Sequence, residues 1–240
     1  MNKQHFSNKH FAEIDNIGES TNYFKPVLEE LFKLSNIENA NILDVGCGTG
    51  IFMLPIISKG CLNLSGIDGP NDYMNKAIMR GYNDVKTIED FNYSFFPIEN
   101  NTYDIAICKD VFEHLLNPDF CLNEIYRILK PNGLLLIHVP HHFPLLKRFK
   151  FIFNNDIDTF KFFPDSSRWN FPHIRFYEYN DFKEKLILNN FTISKELSYL
   201  FNDVPLLKNF NIFKNFNYLL ASKFPNNFAS GFTFIVKKNI

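Results

Sequence analysis

Two groups of residues in this 240-residue chain have the types and spacing to do chemistry. The first is Asn41 to Gly50, NILDVGCGTG, with Asp68 standing eighteen residues beyond Gly50. Glycines at 46, 48 and 50 let the main chain bend with no Cβ in the way, so a flat ligand can lie against backbone N–H groups and the start of the next helix. A carboxylate at the end of a second strand can accept hydrogen bonds from both hydroxyls of a ribose; the competing reading of Asp68 is a helix N-cap or turn former ahead of Gly69 and Pro70. The second group is histidine. An imidazole takes a hydroxyl proton near neutral pH, and His173, His141 and His114, in that order, are the candidates for such a base, with a backbone-bonded structural role competing at His173.

These groups need elements to hold them, and the pattern supplies a mostly parallel α/β sheet. Ile42, Leu43 and Val45 suit a buried strand that runs into the glycine loop. A helix over Ile51 to Ser58, with Pro55 near its first turn, leads past Gly60 to a second strand over Leu62 to Ile67. Further strands are expected at Val85–Ile88, Tyr103–Cys108, Leu134–Val139, Phe191–Ser194 and Phe232–Lys237. Helices are expected at Pro26–Leu34, Asn75–Arg80 and after the cap-and-proline pair Asn117-Pro118. Another begins at Asp181, with Glu184 in capping-box position. Residues 1–24 read as an arm, and 25–240 as one domain with insertions at about 141–172 and 198–230. Long segments between regular elements are where substrate lids occur.

Composition excludes some functions. Lys and Arg number 25 against 26 acidic residues, a net charge of −1 that gives no footprint for nucleic acid. The start MNKQHFSNKHF lacks the apolar segment of a signal peptide and no run suits a spanning helix, so a cytoplasmic protein is expected. Cys47, Cys61, Cys108 and Cys121 have no C-x-x-C pairing and read as reduced thiols. His138, His141 and His142 form H-x-x-H-H, but strand alternation puts His138 and His141 on opposite sides, so no metal is expected. The segment Pro205 to Phe224 suits core packing, a homodimer face or peripheral membrane contact.

The loop Gly46-Cys47-Gly48-Thr49-Gly50 behind Asp44, and the run RILKPNGLLLIHVP from Arg127 to Pro140, resemble class I S-adenosylmethionine-dependent methyltransferases. The likeness extends over about residues 25 to 237, and the stretch His173-Ile174-Arg175-Phe176 before a helix closed by Asn189-Asn190-Phe191 looks like a subset of bacterial methyltransferases with small-molecule and glycan substrates. It implies a Rossmann-like seven-stranded sheet, helices on both faces and one antiparallel strand near the C-terminus. It implies S-adenosyl-L-methionine as cofactor, held by Asp44, Gly46, Cys47, Gly48 and Gly50, by Asp68 and Gly69, and by Lys109. By position, Asp90 would bond the adenine amino group and Phe91 pack on the ring, although Glu89 is equally available. In this family Glu113 and His114 more often stabilise the loop after the fourth strand, and His141 departs from the usual asparagine after proline.

No D-P-P-Y-like motif follows the fourth strand, where Lys109-Asp110-Val111-Phe112 stands, which argues against methylation of base amino groups. The expected acceptor is a hydroxyl on a small polar metabolite or sugar, as for a surface glycan. Quinone or lipid-linked acceptors come second, and a non-catalytic S-adenosylmethionine-binding partner protein is the reading from another class.

Overall fold

A computed structural model describes residues 24–70, 74–154, 173–200 and 214–239 of the chain. Its strands are β1 (Asn41–Val45), β2 (Asn63–Asp68), β3 (Asp84–Thr87), β4 (Tyr103–Lys109), β5 (Leu129–Pro140), β6 (Phe191–Glu196) and β7 (Gly231–Lys238). They form one seven-stranded sheet in the order β3-β2-β1-β4-β5-β7-β6. Six strands are parallel and the C-terminal one is antiparallel, the Rossmann-like arrangement expected. Around them lie α1 (Lys25–Phe32), α2 (Leu54–Ser58), α3 (Met74–Met79), α4 (Pro118–Ile128), α5 (Leu145–Asn154), α6 (Tyr179–Leu188), α7 (Lys214–Lys223) and α8 (Pro225–Phe228). The arm other than Phe24, most of the first insertion with Asp156, Asp158, Asp165, Arg168 and Trp169, and part of the second fall outside the described residues.

By internal contacts the chain divides into two units. The first takes Met1–Lys109, Asn117–Leu136 and Lys237–Ile240; the second takes Asp110–Leu116 and Ile137–Val236.

In the first unit β1 pairs in parallel with β2 on one side and β4 on the other. Ile42, Leu43 and Val45 are fully buried, which is why the strand is apolar on both faces. The helix after the glycine loop opens as a single 3-10 turn, Ile51–Met53, before α2, with Pro55 inside the first turn of α2. Helix α4 starts as expected: the Asn117 side chain accepts from Phe120 N and Pro118 opens the first turn. Glu124 of this helix accepts from Phe96 N at 2.8 Å and pairs with Arg127 at 2.7 Å, and Arg127 also donates to the Phe96 and Ile98 carbonyls. That network pins the segment leading into β4.

In the second unit the core is aromatic. Phe182 packs against Phe112, Tyr177 and Phe234, with ring centroids 4.9 to 6.4 Å apart. Phe232 to Val236 of β7 are all fully buried, a continuous rather than alternating run. Helix α6 departs from expectation at its start: it begins at Tyr179, two residues before Asp181, and its N-cap Glu178 makes no side-chain cap. Asn226 supplies the missing acceptor instead, taking the Tyr179 N–H at 2.9 Å, a tertiary contact that no local capping signal reveals.

Candidate active site

The glycine loop leaves β1 with Gly46, Gly48 and Gly50 at φ 74°, 49° and 76°. At Gly50 the requirement is also spatial, since a Cβ there would stand 2.7 Å from Tyr82 Cε2 and 3.1 Å from Ala77 Cα. The N–H groups of Gly46 and Cys47 both reach the Ile67 carbonyl, at 2.8 and 3.2 Å, and so tie the loop to the end of β2. Asp68 closes the arrangement: Oδ2 accepts from Gly48 N at 2.5 Å and Oδ1 from Gly69 N at 2.7 Å.

Loop and carboxylate therefore meet at one point. Each carboxylate oxygen has taken one N–H, and each retains lone-pair capacity for a hydroxyl donor. Among the described residues, chain neighbours aside, no atom lies within 4 Å of where a Cβ of Gly69 would stand, and Thr49 Oγ1 is buried without a hydrogen-bond partner. A vicinal diol on a nucleoside fits this donor-and-acceptor set. Burial raises the Asp68 carboxyl to about 6, against the two N–H bonds that pull it down.

Asp44 lies behind the loop, 5% exposed, where Tyr82 donates its O–H to Oδ2 at 2.6 Å. Desolvation raises its pKa to about 7; the Tyr82 bond opposes this, the Asp68 charge adds to it, and the Lys109 charge opposes it. Lys109, buried at the end of β4, holds its ammonium 3.9 Å from the Phe52 ring centroid and 5.5 Å from that of Phe24. Cys47 is also buried, its Sγ 2.7 Å from where a Cβ on Gly66 would be, and its thiol is held well above the ordinary range by burial. Asp90 is exposed and accepts from Asn92 N and Nδ2 at 2.8 and 2.7 Å, forming a turn of the Asx kind. Phe91 stands edge-on to Phe96 at 5.7 Å. Tyr82, Arg80, which donates to the Thr49 carbonyl at 2.5 Å, and Thr49 were missed from sequence. The Asp44–Tyr82 pair spans 38 residues, and no local pattern announces it.

In the second unit a strap over His173 to Tyr177 lies on the single 3-10 turn Phe112–His114. The Glu113 carbonyl accepts from both Ile174 N and Arg175 N, at 2.9 and 3.1 Å. Arg175 donates to the carbonyls of Leu115 and Leu116, and the Tyr177 O–H to that of Phe112 at 3.0 Å. The strap carries His173 to His114, with ring centroids 4.9 Å apart. Glu113, 1% exposed, has Oε1 3.9 Å from His114 Nε2. Ligand atoms of Glu113, His114 and His173 all lie within 4.8 Å of one another, a grouping of two imidazoles and a carboxylate suited to proton transfer and also of donor types that bind divalent metals.

His173 and His114 thus come together, while His141 does not join them. Its backbone N bonds the Ser230 carbonyl at 2.9 Å, its Nδ1 donates to the Ala229 carbonyl at 2.8 Å, and its ring stacks on Phe232 at 4.6 Å. Burial depresses its pKa to about 4. The next residue, His142, turns to the other side and sets Nε2 2.5 Å from His173 Nδ1. Period-two alternation carried two residues past β5, from His138 and Pro140 to His142, is the signal that could have found it. His138 bonds Thr233 through Nδ1 at 2.7 Å and faces Asp110 through Nε2 at 3.5 Å.

A family model described as a methyltransferase domain matches residues 19–196. The ubiquinone biosynthesis O-methyltransferase of Rickettsia typhi is 38% identical over 106 residues, 43% of this chain and 42% of that protein. The chain thus matches about two fifths of the length of this curated relative. Among solved structures, a chain of the Haloferax volcanii complex between the Trm112 methyltransferase activator and a methyltransferase aligns with TM-score 0.63 at 14% identity, over 95% of this chain and 96% of that one. A Thermotoga maritima S-adenosylmethionine-dependent methyltransferase, described as a possible histamine N-methyltransferase, aligns with TM-score 0.61 at 16% identity, over 99% and 100%. At these identities the two structures speak for the shared fold.

Proposed function

Because this chain belongs to the methyltransferase-domain family, with its class I fold and S-adenosylmethionine as cofactor, we propose that it methylates a hydroxyl oxygen on the ring of a quinone-type or lipid-linked acceptor. The observation that carries the cofactor half is the convergence of the glycine loop and the Asp68 carboxylate through the Gly48 N–H. Asp68 would hold the ribose hydroxyls, the loop backbone from Gly46 to Gly50 would lie along the ligand, and Thr49 Oγ1 offers one more hydrogen bond. When bound, S-adenosylmethionine supplies an electrophilic methyl group on a sulfonium whose departure leaves a neutral thioether.

What this chain adds is binding and proton handling. Asp44 and Lys109 fix the charge behind the loop: the ammonium over Phe52 partly offsets the two carboxylates that would otherwise repel each other. As the acceptor oxygen forms its new bond to carbon, its hydrogen leaves as a proton, which we assign to the cluster of Glu113, His114 and His173. General-base assistance of this kind contributes about 10²- to 10⁴-fold.

The quinone reading gains support from the name of the Rickettsia relative and displaces the sugar as the favoured acceptor. A second observation favours a lipid-borne acceptor. Helix α5 exposes Phe149, Phe151, Ile152 and Phe153 beside Lys147, Arg148 and Lys150, and no acidic residue interrupts Leu145–Asn154. No helix among the described residues is long and apolar enough to cross a membrane. The test is an assay of S-adenosylhomocysteine release with catechol and quinol acceptors, free or on a prenyl tail, beside nucleotide sugars and free glycans. Turnover with ring hydroxyls alone is the expected result; turnover with sugars alone would reverse the choice of acceptor, and none with any acceptor would favour the non-catalytic reading.

A further inference from the structure

His142 is 5% exposed, and its two ring nitrogens differ sharply in their surroundings. Nε2 lies 2.5 Å from His173 Nδ1, whereas Nδ1 is buried with no hydrogen-bond partner among the described residues. The ring sits edge-on to Phe176 at 4.8 Å and tilted to Phe143 at 6.4 Å. Burial, with His173, Lys147, His141 and His114 nearby, disfavours a charged ring and holds its pKa near 3. The neutral ring has one N–H to place. On Nδ1 that hydrogen would be an orphaned buried donor, a rare and costly arrangement; on Nε2 it has an acceptor waiting in His173.

The consequence passes to the neighbour. Once His173 Nδ1 accepts a hydrogen bond, a neutral His173 carries its own hydrogen on Nε2 and has no free lone pair to offer a substrate proton. We propose that His142 is a positioning residue that donates from Nε2 to Nδ1 of His173, locks His173 as an Nε2–H donor, and thereby leaves His114 to take the acceptor's proton. In that step the acceptor O–H bond breaks, its electron pair stays on oxygen, and the proton goes to an imidazole nitrogen of His114, with the Glu113 carboxyl 3.9 Å from Nε2 of the same ring. Ligation of a metal through His173 Nε2 would need the opposite tautomer and would push the His142 hydrogen onto the orphaned Nδ1. The part concerning His114 rests on the proposed methyl transfer; the tautomer lock does not.

The lock is read by long-range ¹H–¹⁵N correlation spectra of the full chain labelled at histidine, with His142→Gln and His173→Gln used for assignment. Both His142 and His173 are expected as Nε2–H tautomers in the parent. In His142→Gln, whose amide keeps a donor, the His173 Nδ1 resonance should stay that of an accepting nitrogen; in His142→Leu it should shift. A His173 hydrogen on Nδ1 in the parent, or an Nδ1 resonance identical in His142→Leu and His142→Gln, would overturn the lock. Should His142→Leu fail to fold, the parent and His142→Gln spectra decide it. Kinetics test the remainder: His114→Gln should lower kcat by about 10²-fold or more and remove the acidic limb of the kcat–pH profile, while His173→Gln keeps that limb. Loss of the limb in His173→Gln and its retention in His114→Gln would return the role of base to His173. A chain without turnover on any acceptor would defeat the methyl-transfer reading and the base assignment together, leaving the lock to the spectra.

Discussion

Replacing Asp68 with asparagine changes one charge and almost no volume, and the structure fixes what that change should cost. The carboxylate accepts one N–H on each oxygen, from Gly48 and from Gly69. An amide keeps only one acceptor, so one of those N–H groups would face an NH₂, and the ribose would lose a charged acceptor. Hydrogen bonds to charged groups and buried unsatisfied donors are each worth about 1–3 kcal/mol, which is roughly a 5- to 150-fold weaker Kd. Calorimetric titration with S-adenosylhomocysteine measures it directly, with circular dichroism to verify folding. The pH dependence follows from the same group. Because burial raises Asp68 to about 6, the acceptor form is depleted below that value, and affinity at pH 5 should be about tenfold below its plateau. Asp68→Asn should flatten that step. A folded Asp68→Asn chain whose Kd lies within twofold of the parent, or a parent Kd that is level from pH 5 to 8, would refute the reasoning.

Three other outcomes are expected. Asp44 is raised to about 7 on folding, so its contribution to stability is full below the ordinary carboxylate range and is lost as pH climbs through 7. Each unit of pKa is about 1.4 kcal/mol, so Asp44→Asn, which keeps an acceptor for the Tyr82 O–H, should be more stable than the parent at pH 8 by on the order of 2 to 4 kcal/mol. Urea denaturation of the parent and Asp44→Asn at pH 4.5 and 8 checks it, and a variant whose advantage over the parent is no larger at pH 8 than at pH 4.5 would contradict it. Gly50→Ala meets both a left-handed φ of 76° and a ring carbon at 2.7 Å, so a loss of about 2 kcal/mol or more in denaturant unfolding is expected, with equal stability the contrary result. His141→Gln should cost about 1 kcal/mol through the Ala229 bond and the Phe232 stacking while leaving the pH profile of turnover in place. A profile altered by His141→Gln would bring that residue back into the chemistry.

The sheet and the glycine loop were legible because their signals are local. Ile42 to Val45 read as a buried strand from residue type alone, and Asn117-Pro118 carries the start of its helix in two adjacent residues. Where partners are distant in sequence the reading stopped short. Tyr82 on Asp44, Asn226 on the start of α6 and Glu124 under Phe96 join residues tens of positions apart, and no window contains both members. Histidine shows the same limit at closer range. His173 and His114 could be named as candidates from their places on the chain, but their meeting depends on the Glu113 carbonyl accepting two strap N–H groups. His141 and His142 differ by one position, and the side of the strand each one takes decides which reaches His173.

The most direct measurement is a crystal structure of the chain with S-adenosylhomocysteine. Both ribose hydroxyls should lie within hydrogen-bond distance of the Asp68 carboxylate, with the loop from Gly46 to Gly50 along the nucleoside. A nucleoside bound elsewhere, with Asp68 still occupied only by the N–H groups of Gly48 and Gly69, would contradict the assignment of this site.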